Sequence, residues 1–75
     1  MISETDIKDW HQLPVRELYK CKPRSYIKLP WMDGCNNDVL FFDHIDGMYS
    51  YCLTLQNEVV HLSAWAEVIP LQKPE

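Results

Sequence analysis

Val39-Leu40-Phe41-Phe42-Asp43-His44-Ile45, Asp46-Gly47, Met48-Tyr49-Ser50-Tyr51-Cys52-Leu53-Thr54-Leu55, Gln56-Asn57 and Glu58-Val59-Val60-His61-Leu62 divide residues 39–62 into three β-prone runs joined by two turn candidates. Asp-Gly suits a type I′ hairpin turn, which needs positive φ at both central positions. The segment therefore predicts a three-stranded antiparallel meander. With Asp46-Gly47 as a two-residue loop, Ile45 faces Met48, Phe42 faces Tyr51, Phe41 faces Cys52 and Leu40 faces Leu53. With Gln56-Asn57 as the next loop, Leu53 faces Val60 and Cys52 faces His61. Side chains alternate across a strand, so Leu40, Phe42, Tyr51, Leu53, Val60 and Leu62 form the expected core face, and Phe41, Asp43, Ser50, Cys52, Thr54, Val59 and His61 the other. A one-residue slip in either turn would exchange the faces, and Gln56-Asn57 is the weaker turn signal.

Upstream, Ser25-Tyr26-Ile27-Lys28-Leu29 alternates between Pro23 and Pro30, which predicts a short first strand at a sheet edge, where proline is tolerated. Trp31 to Asp38 is rich in Gly, Asn and Asp and reads as a loop. Ser63-Ala64-Trp65-Ala66 suits one helical turn, and Glu67 to Leu71 a last strand. At the N-terminus, Ser3 as a cap, acids in the first turn and Ile7, Trp10 and His11 at helical spacing predict a short helix over about 4–12. Pro14 stops it, and Val15 to Cys21 fits either a helical turn or an irregular strand. The expectation is one domain over 1–75: an N-terminal helical segment 1–13, a β-barrel over 24–71 and a tail over 72–75.

Five short strands, a long polar loop after the first, a meander and one helical turn before the last strand follow the order of an SH3-like barrel. The runs Val39 to Cys52 and Val59 to Val68 resemble small barrel proteins encoded by tailed bacteriophages, over about half the chain. The resemblance implies a mainly β fold and work in an infected bacterial cytoplasm, binding and modulating a host or phage protein. SH3 domains that bind proline-rich peptides carry an A-L-Y-D-Y-type aromatic motif on the first strand, and Ser25 to Leu29 lacks it.

A chain of 75 residues that is 47% hydrophobic and 12% aromatic has enough apolar surface to fold as one small domain, but little room for a large catalytic cleft. Cys21, Cys35 and Cys52 form an odd set without a C-x-x-C pair, and the first residues lack the pattern of a signal peptide, so a cytoplasmic protein with reduced thiols is expected. No apolar run reaches the roughly 20 residues that span a bilayer.

The net charge of −4 is unevenly laid out. Arg16, Lys20, Lys22, Arg24 and Lys28 lie within thirteen positions, and no Lys or Arg follows from Leu29 to Gln72. Basic residues interleaved with Tyr19 and Tyr26 suit nucleic acid, where cations meet phosphate and rings stack on bases. A solvated basic face accounts for the same pattern, and the net acidity argues for it. The acids from Asp33 to Glu67 are too sparse for a phosphate-backbone mimic and read as ordinary solubilising charge.

Histidines and cysteines at 11, 21, 35, 44, 52 and 61 contain no close ligand pair, so no metal or cofactor is expected. The predicted Cys52–His61 contact is the one candidate for an activated thiolate, but mid-strand residues on a tiny barrel have neither oxyanion hole nor cleft, and the chain is expected not to be an enzyme. Trp31 or Trp65 is expected to cap the barrel, the alternative being an exposed interface anchor. The apolar outer face left by the predicted register needs cover, either from Ile7 and Trp10 or from a partner, a second copy included. The leading functional expectation is a protein-interaction module with Trp31, Phe41, Met48 and Tyr49 as apolar contacts. The alternative is a nucleic-acid-binding barrel using Arg16, Lys20, Lys22, Arg24 and Lys28.

Overall fold

The computed structural model describes residues 7, 9–32 and 38–74, and its elements are almost all strands. They are β1 (His11–Gln12), β2 (Arg16–Glu17), β3 (Ser25–Lys28), β4 (Val39–Asp46), β5 (Tyr49–Thr54), β6 (Val59–Val60) and β7 (Glu67–Gln72), with 3-10 turns at Leu18–Lys20 and Pro30–Met32. All pairings are antiparallel, in the order β1-β7-β3-β4-β5-β6, with β2 also on β7.

The expected N-terminal helix is corrected at its C-terminal end, since Ile7 is helical but Asp9 and Trp10 already form a turn, with the Trp10 N–H donating to the Ile7 carbonyl. His11–Gln12 is extended and pairs with Leu71 and Gln72, while residues 4–6 and 8 of the expected helix lie outside the described residues. Backbone pairing to β7 overrides a helical spacing too short to be stable alone. Val15 to Cys21 holds a strand and then a 3-10 turn. The first predicted strand is found as β3, but it lies between β4 and β7 rather than at an edge. Its prolines flank the paired residues. The proline inside a strand is Pro70 of β7, which pairs with Ile27 on one side and accepts the Leu13 N–H through its carbonyl on the other. It stands between the β1 and β2 pairings, where no ladder N–H is required of it.

The meander is formed in a register that differs from the predicted one twice. The first loop is Gly47-Met48, with Asp46 opposite Tyr49. Gly47 has φ +64 and nothing stands within 4 Å of where its Cβ would be, so conformation rather than room requires glycine. Positive φ at the first central position alone is the type II′ pattern, which puts glycine first. This moves the pairing by two residues and keeps the faces. A β-bulge at Asp43, between the pairs His44–Tyr51 and Phe42–Cys52, then takes back one residue and exchanges the faces of β5. Ser50, Cys52 and Thr54 point into the core and Tyr51 and Leu53 point out, the reverse of the expectation.

The second loop has three residues, Leu55 to Asn57. The Thr54 N–H donates to the Glu58 carbonyl and the Asn57 N–H to the Thr54 carbonyl, while Asn57 takes φ 66. Thr54 Oγ1 accepts from the Gln56 and Glu58 amides, tying the loop to the strand. This loop slips the register by one more residue, pairing Cys52 with Val60 rather than His61. The two slips cancel, so Val60 and Leu62 return to the predicted core face.

The core contains Leu18, Cys21, Ile27, Leu29, Leu40, Phe42, Cys52 and Val68, with Met32, Ile45, Val60, Leu62 and Ala66 packed around them. A second cluster on the opposite face of the sheet buries Ile7, Val39 and Leu71 against Trp10, Tyr26, Leu55 and Ile69. Ile7 and Trp10 therefore cover one end of the outer face, which answers part of the question left by the sequence.

The sheet does not close on itself, so the complete barrel is not formed among the described residues. Ser63–Ala66 bridges the opening instead. On one side the Leu18 and Tyr19 amides donate to the Ala66 and Ala64 carbonyls, and on the other the Ala64 amide donates to the Met48 carbonyl. The expected helical turn here is a hydrogen-bonded turn, closed by the Ala66 N–H on the Ser63 carbonyl. Neither Trp31 nor Trp65 caps the core, since both are more than half exposed, and their neighbours Met32 and Ala66 face the interior. No helix among the described residues is long and apolar enough to cross a membrane.

Candidate functional site

A groove of about 480 Å³ opens where β1, β7 and the segment leading into β3 meet, and Arg16, Lys22, Arg24 and Lys73 line it. Trp10 and Tyr26 supply its aromatic wall, Cys21 and Pro70 part of the remainder, and no acidic residue is among the described lining.

Local structure fixes each cation. Arg16 is held by the pairing of β2 with Val68. Ser25 Oγ donates to the Lys22 carbonyl at 2.6 Å, tying down the turn that carries Lys22. Arg24 has φ 59, a left-handed conformation uncommon for a residue with a Cβ, and its amide donates to the carbonyl of the bulged Asp43 at 3.2 Å. Lys73 follows Gln72, whose pairing with His11 brings the C-terminal end to the groove.

The aromatic wall is similarly braced. Trp10 meets Tyr26 edge to face, with centroids 5.3 Å apart and planes at 88°, and Tyr26 meets Phe41 at 5.2 Å. Burial pushes the Tyr26 phenol above its ordinary range.

The other described basic residues are held elsewhere. Lys20 pairs with Glu17 at 3.2 Å and stands 5.7 Å from the Tyr19 ring centroid. Lys28 lies on the outer sheet face beside Val39, with Asp38 at 3.9 Å. Of the five basic residues singled out in the sequence, the groove unites Arg16, Lys22 and Arg24 and excludes Lys20 and Lys28. Lys73 and Trp10 were missed because their place depends on the β1–β7 pairing, 61 positions apart at His11 and Gln72.

The four apolar candidates are not brought to one surface. Trp31 is exposed on the turn that follows β3, and Met48 and Tyr49 are exposed at the hairpin tip, beyond the far end of β4. The eight residues of β4 between them extend roughly 25 Å. Phe41 is half-buried against Tyr26. Met48 and Tyr49 instead neighbour two other exposed aromatic residues, Trp65, the alternative interface anchor, and Tyr19, through the bonds around Ala64 and the Tyr49–Ser63 bridge.

The Cys52–His61 pair is not formed. Cys52 faces the core at 3.4 Å from Ser50 Oγ, and burial raises its thiol, the opposite of activation. His61 is exposed on the outer face, its ring against Tyr51, with Nδ1 donating to the Ser50 carbonyl at 2.9 Å. Among the described residues no group of three or more His, Cys, Asp or Glu is placed to hold a metal. Comparison with known protein families, curated proteins and solved structures finds no match for this chain.

Proposed function

We propose that this protein is a non-enzymatic binding module whose working surface is the basic groove, and that its ligand is a polyanion. One observation carries the reading. Among the described basic residues, Lys20 and Lys28 have acidic partners, and all the others, Arg16, Lys22, Arg24 and Lys73, line one groove. In a chain of net charge −4, this concentrates positive potential in a concave site, and such a site attracts anions against the mean field of the molecule. The resemblance of the sequence to phage-encoded SH3-like barrels supports a role in an infected bacterial cytoplasm.

The test is a titration with inorganic polyphosphate at low salt, followed by intrinsic fluorescence. The Arg16→Glu/Arg24→Glu variant should lose binding, whereas Lys20→Gln, whose charge Glu17 offsets, should retain it. Absence of binding by the unaltered protein, or binding indifferent to the double reversal, refutes the reading.

A second reading has its own support: a protein partner at the hairpin tip, where Met48, Tyr49, Trp65 and Tyr19 are all about half exposed or more. Aromatic residues and Met concentrate at interfaces. Loss of a captured host protein on Tyr49→Ala/Trp65→Ala, with polyphosphate binding intact, would favour this surface.

A further inference from the structure

Two features of the groove go beyond affinity for anions. Its cations are accompanied by aromatic rings, and half of them are arginines. A polyanion that is only a string of charges, such as polyphosphate or a run of Glu side chains, gains from the cations alone. Nucleic acid with unpaired bases gains from both, because guanidinium groups match phosphate oxygens bidentately and an aromatic ring can stack on a base. Tyr26 is braced by Phe41 on one side and Trp10 on the other, so these rings are already ordered before a ligand arrives.

The size and surroundings of the groove oppose a duplex. A cavity of about 480 Å³ lies in the range of small ligand pockets, and the body around it measures only 32 × 25 × 23 Å. The rest of the surface is acidic on balance and repels a rigid double helix that must lie across it. A single strand bends into the groove and leaves the acidic surface alone.

We infer that the groove is a site for single-stranded nucleic acid, with Arg16, Lys22, Arg24 and Lys73 taking phosphates and the Trp10–Tyr26 wall taking a base. The inference rests on the polyanion reading above and names its ligand. Binding is sequence-tolerant, because stacking uses the π-face that every base presents.

The experiment uses the whole chain with Trp31→Phe and Trp65→Phe, both exposed positions, so that fluorescence reports Trp10. The probes are oligo-thymidylate of about twelve nucleotides, a hybridised duplex of the same length, inorganic polyphosphate and poly-glutamate. Oligo-thymidylate should bind most tightly and quench Trp10. With four cations engaged, the slope of log affinity against log salt should be about −2.8, or roughly fifty-fold weaker binding between about 50 and 200 mM salt. Lys73→Gln should reduce the slope by about 0.7, and Trp10→Phe should keep binding better than Trp10→Ala, these two variants being read by the anisotropy of a fluorescently labelled oligo-thymidylate. If polyphosphate or poly-glutamate binds as well as oligo-thymidylate, or if Trp10 is not quenched, the polyanion groove stands and the nucleic-acid inference falls. If the duplex binds as tightly as the single strand, the inference also falls. If no probe binds at low salt, both fall.

Discussion

Arg24 carries positive charge into the groove from a backbone conformation that disfavours it, so Arg24→Gly should separate function from stability. At φ 59 an L-residue with a Cβ is strained by about 1–2 kcal/mol relative to glycine. Glycine loses more freedom on folding, an opposing effect of about 0.5–1 kcal/mol. The exposed side chain has no ion pair among the described residues, so its loss removes little else. The net expectation is a variant between unchanged and about 1.5 kcal/mol more stable, with Tm up by as much as roughly 6–12 °C for a chain of this size. The comparison is Lys22→Gly, also exposed and in the groove but without positive φ, which should lose about 0.5–1 kcal/mol. Both substitutions remove one cation, so both should flatten the salt dependence of polyanion binding by a similar amount. The assays are urea unfolding of each variant, with the midpoint read at unchanged m, and binding at two salt concentrations. If Arg24→Gly destabilises as much as Lys22→Gly, the strain argument is wrong. If Arg24→Gly leaves the salt slope untouched, Arg24 is not part of the site.

Other consequences concern the sheet. Ser50→Ala removes the oxygen that accepts the Leu62 N–H at 3.2 Å and donates to the Leu62 carbonyl at 3.0 Å. The carbonyl keeps the Ser50 N–H, but the Leu62 amide loses its partner, which should cost about 1–3 kcal/mol and lower Tm by roughly 5–15 °C in a thermal melt. Asn57→Gly should be neutral or slightly stabilising at φ 66, whereas Asn57→Ala should lose about 1 kcal/mol in urea unfolding; equal stability of the two would contradict the assigned loop. Burial raises the Cys21 and Cys52 thiols above 9.0 and the Tyr26 phenol above 10.0. The folded chain then holds protons that the unfolded chain releases, so this stability is present in full below about pH 9 and is lost as pH rises through the folded pKa values. Unfolding free energies across alkaline pH should fall steadily, and a flat profile to pH 11 would exclude the buried placement of all three.

What was legible in the sequence was whatever local chemistry decides. Three strands of the meander, the alternation of Tyr26 to Leu29 and the last strand follow from residue type and turn composition. Their pairing partners do not, because a hairpin register turns on one residue. Asp46-Gly47 marks a turn whichever residue starts the loop, and only the φ of Gly47 and the bulge at Asp43 decide that Cys52 rather than Tyr51 faces inward. The composition held a clue: Ser50, Cys52 and Thr54 are small, as suits the interior of a tightly curled sheet against Phe42, whereas Tyr51 is too large for that place. Weighing volume as well as hydrophobicity would have chosen the observed face.

The groove was legible by half, for a different reason. The run from Arg16 to Lys28 showed basic charge, but which charges stay available depends on where their acids lie. Glu17 is three residues from Lys20 on one turn, a pairing readable in the sequence, and it removes Lys20. Asp38 reaches Lys28 only because β3 pairs with β4, a contact between positions ten apart across a loop. Lys73 and Trp10 come to the groove from the two ends of the described chain. A short polar tail and an isolated tryptophan carry no signal of a shared site until β1 and β7 are paired. The bulge links the two failures of sequence reading. By inserting Asp43 it exchanges the face of β5, which turns Cys52 into the core, and it offers the carbonyl that holds the Arg24 amide. The residue that defeated the register is also the one that fixes a cation in the groove, so deleting Asp43 should disturb core packing and polyanion binding together, whereas Asp43→Ala, which keeps the carbonyl, should spare both.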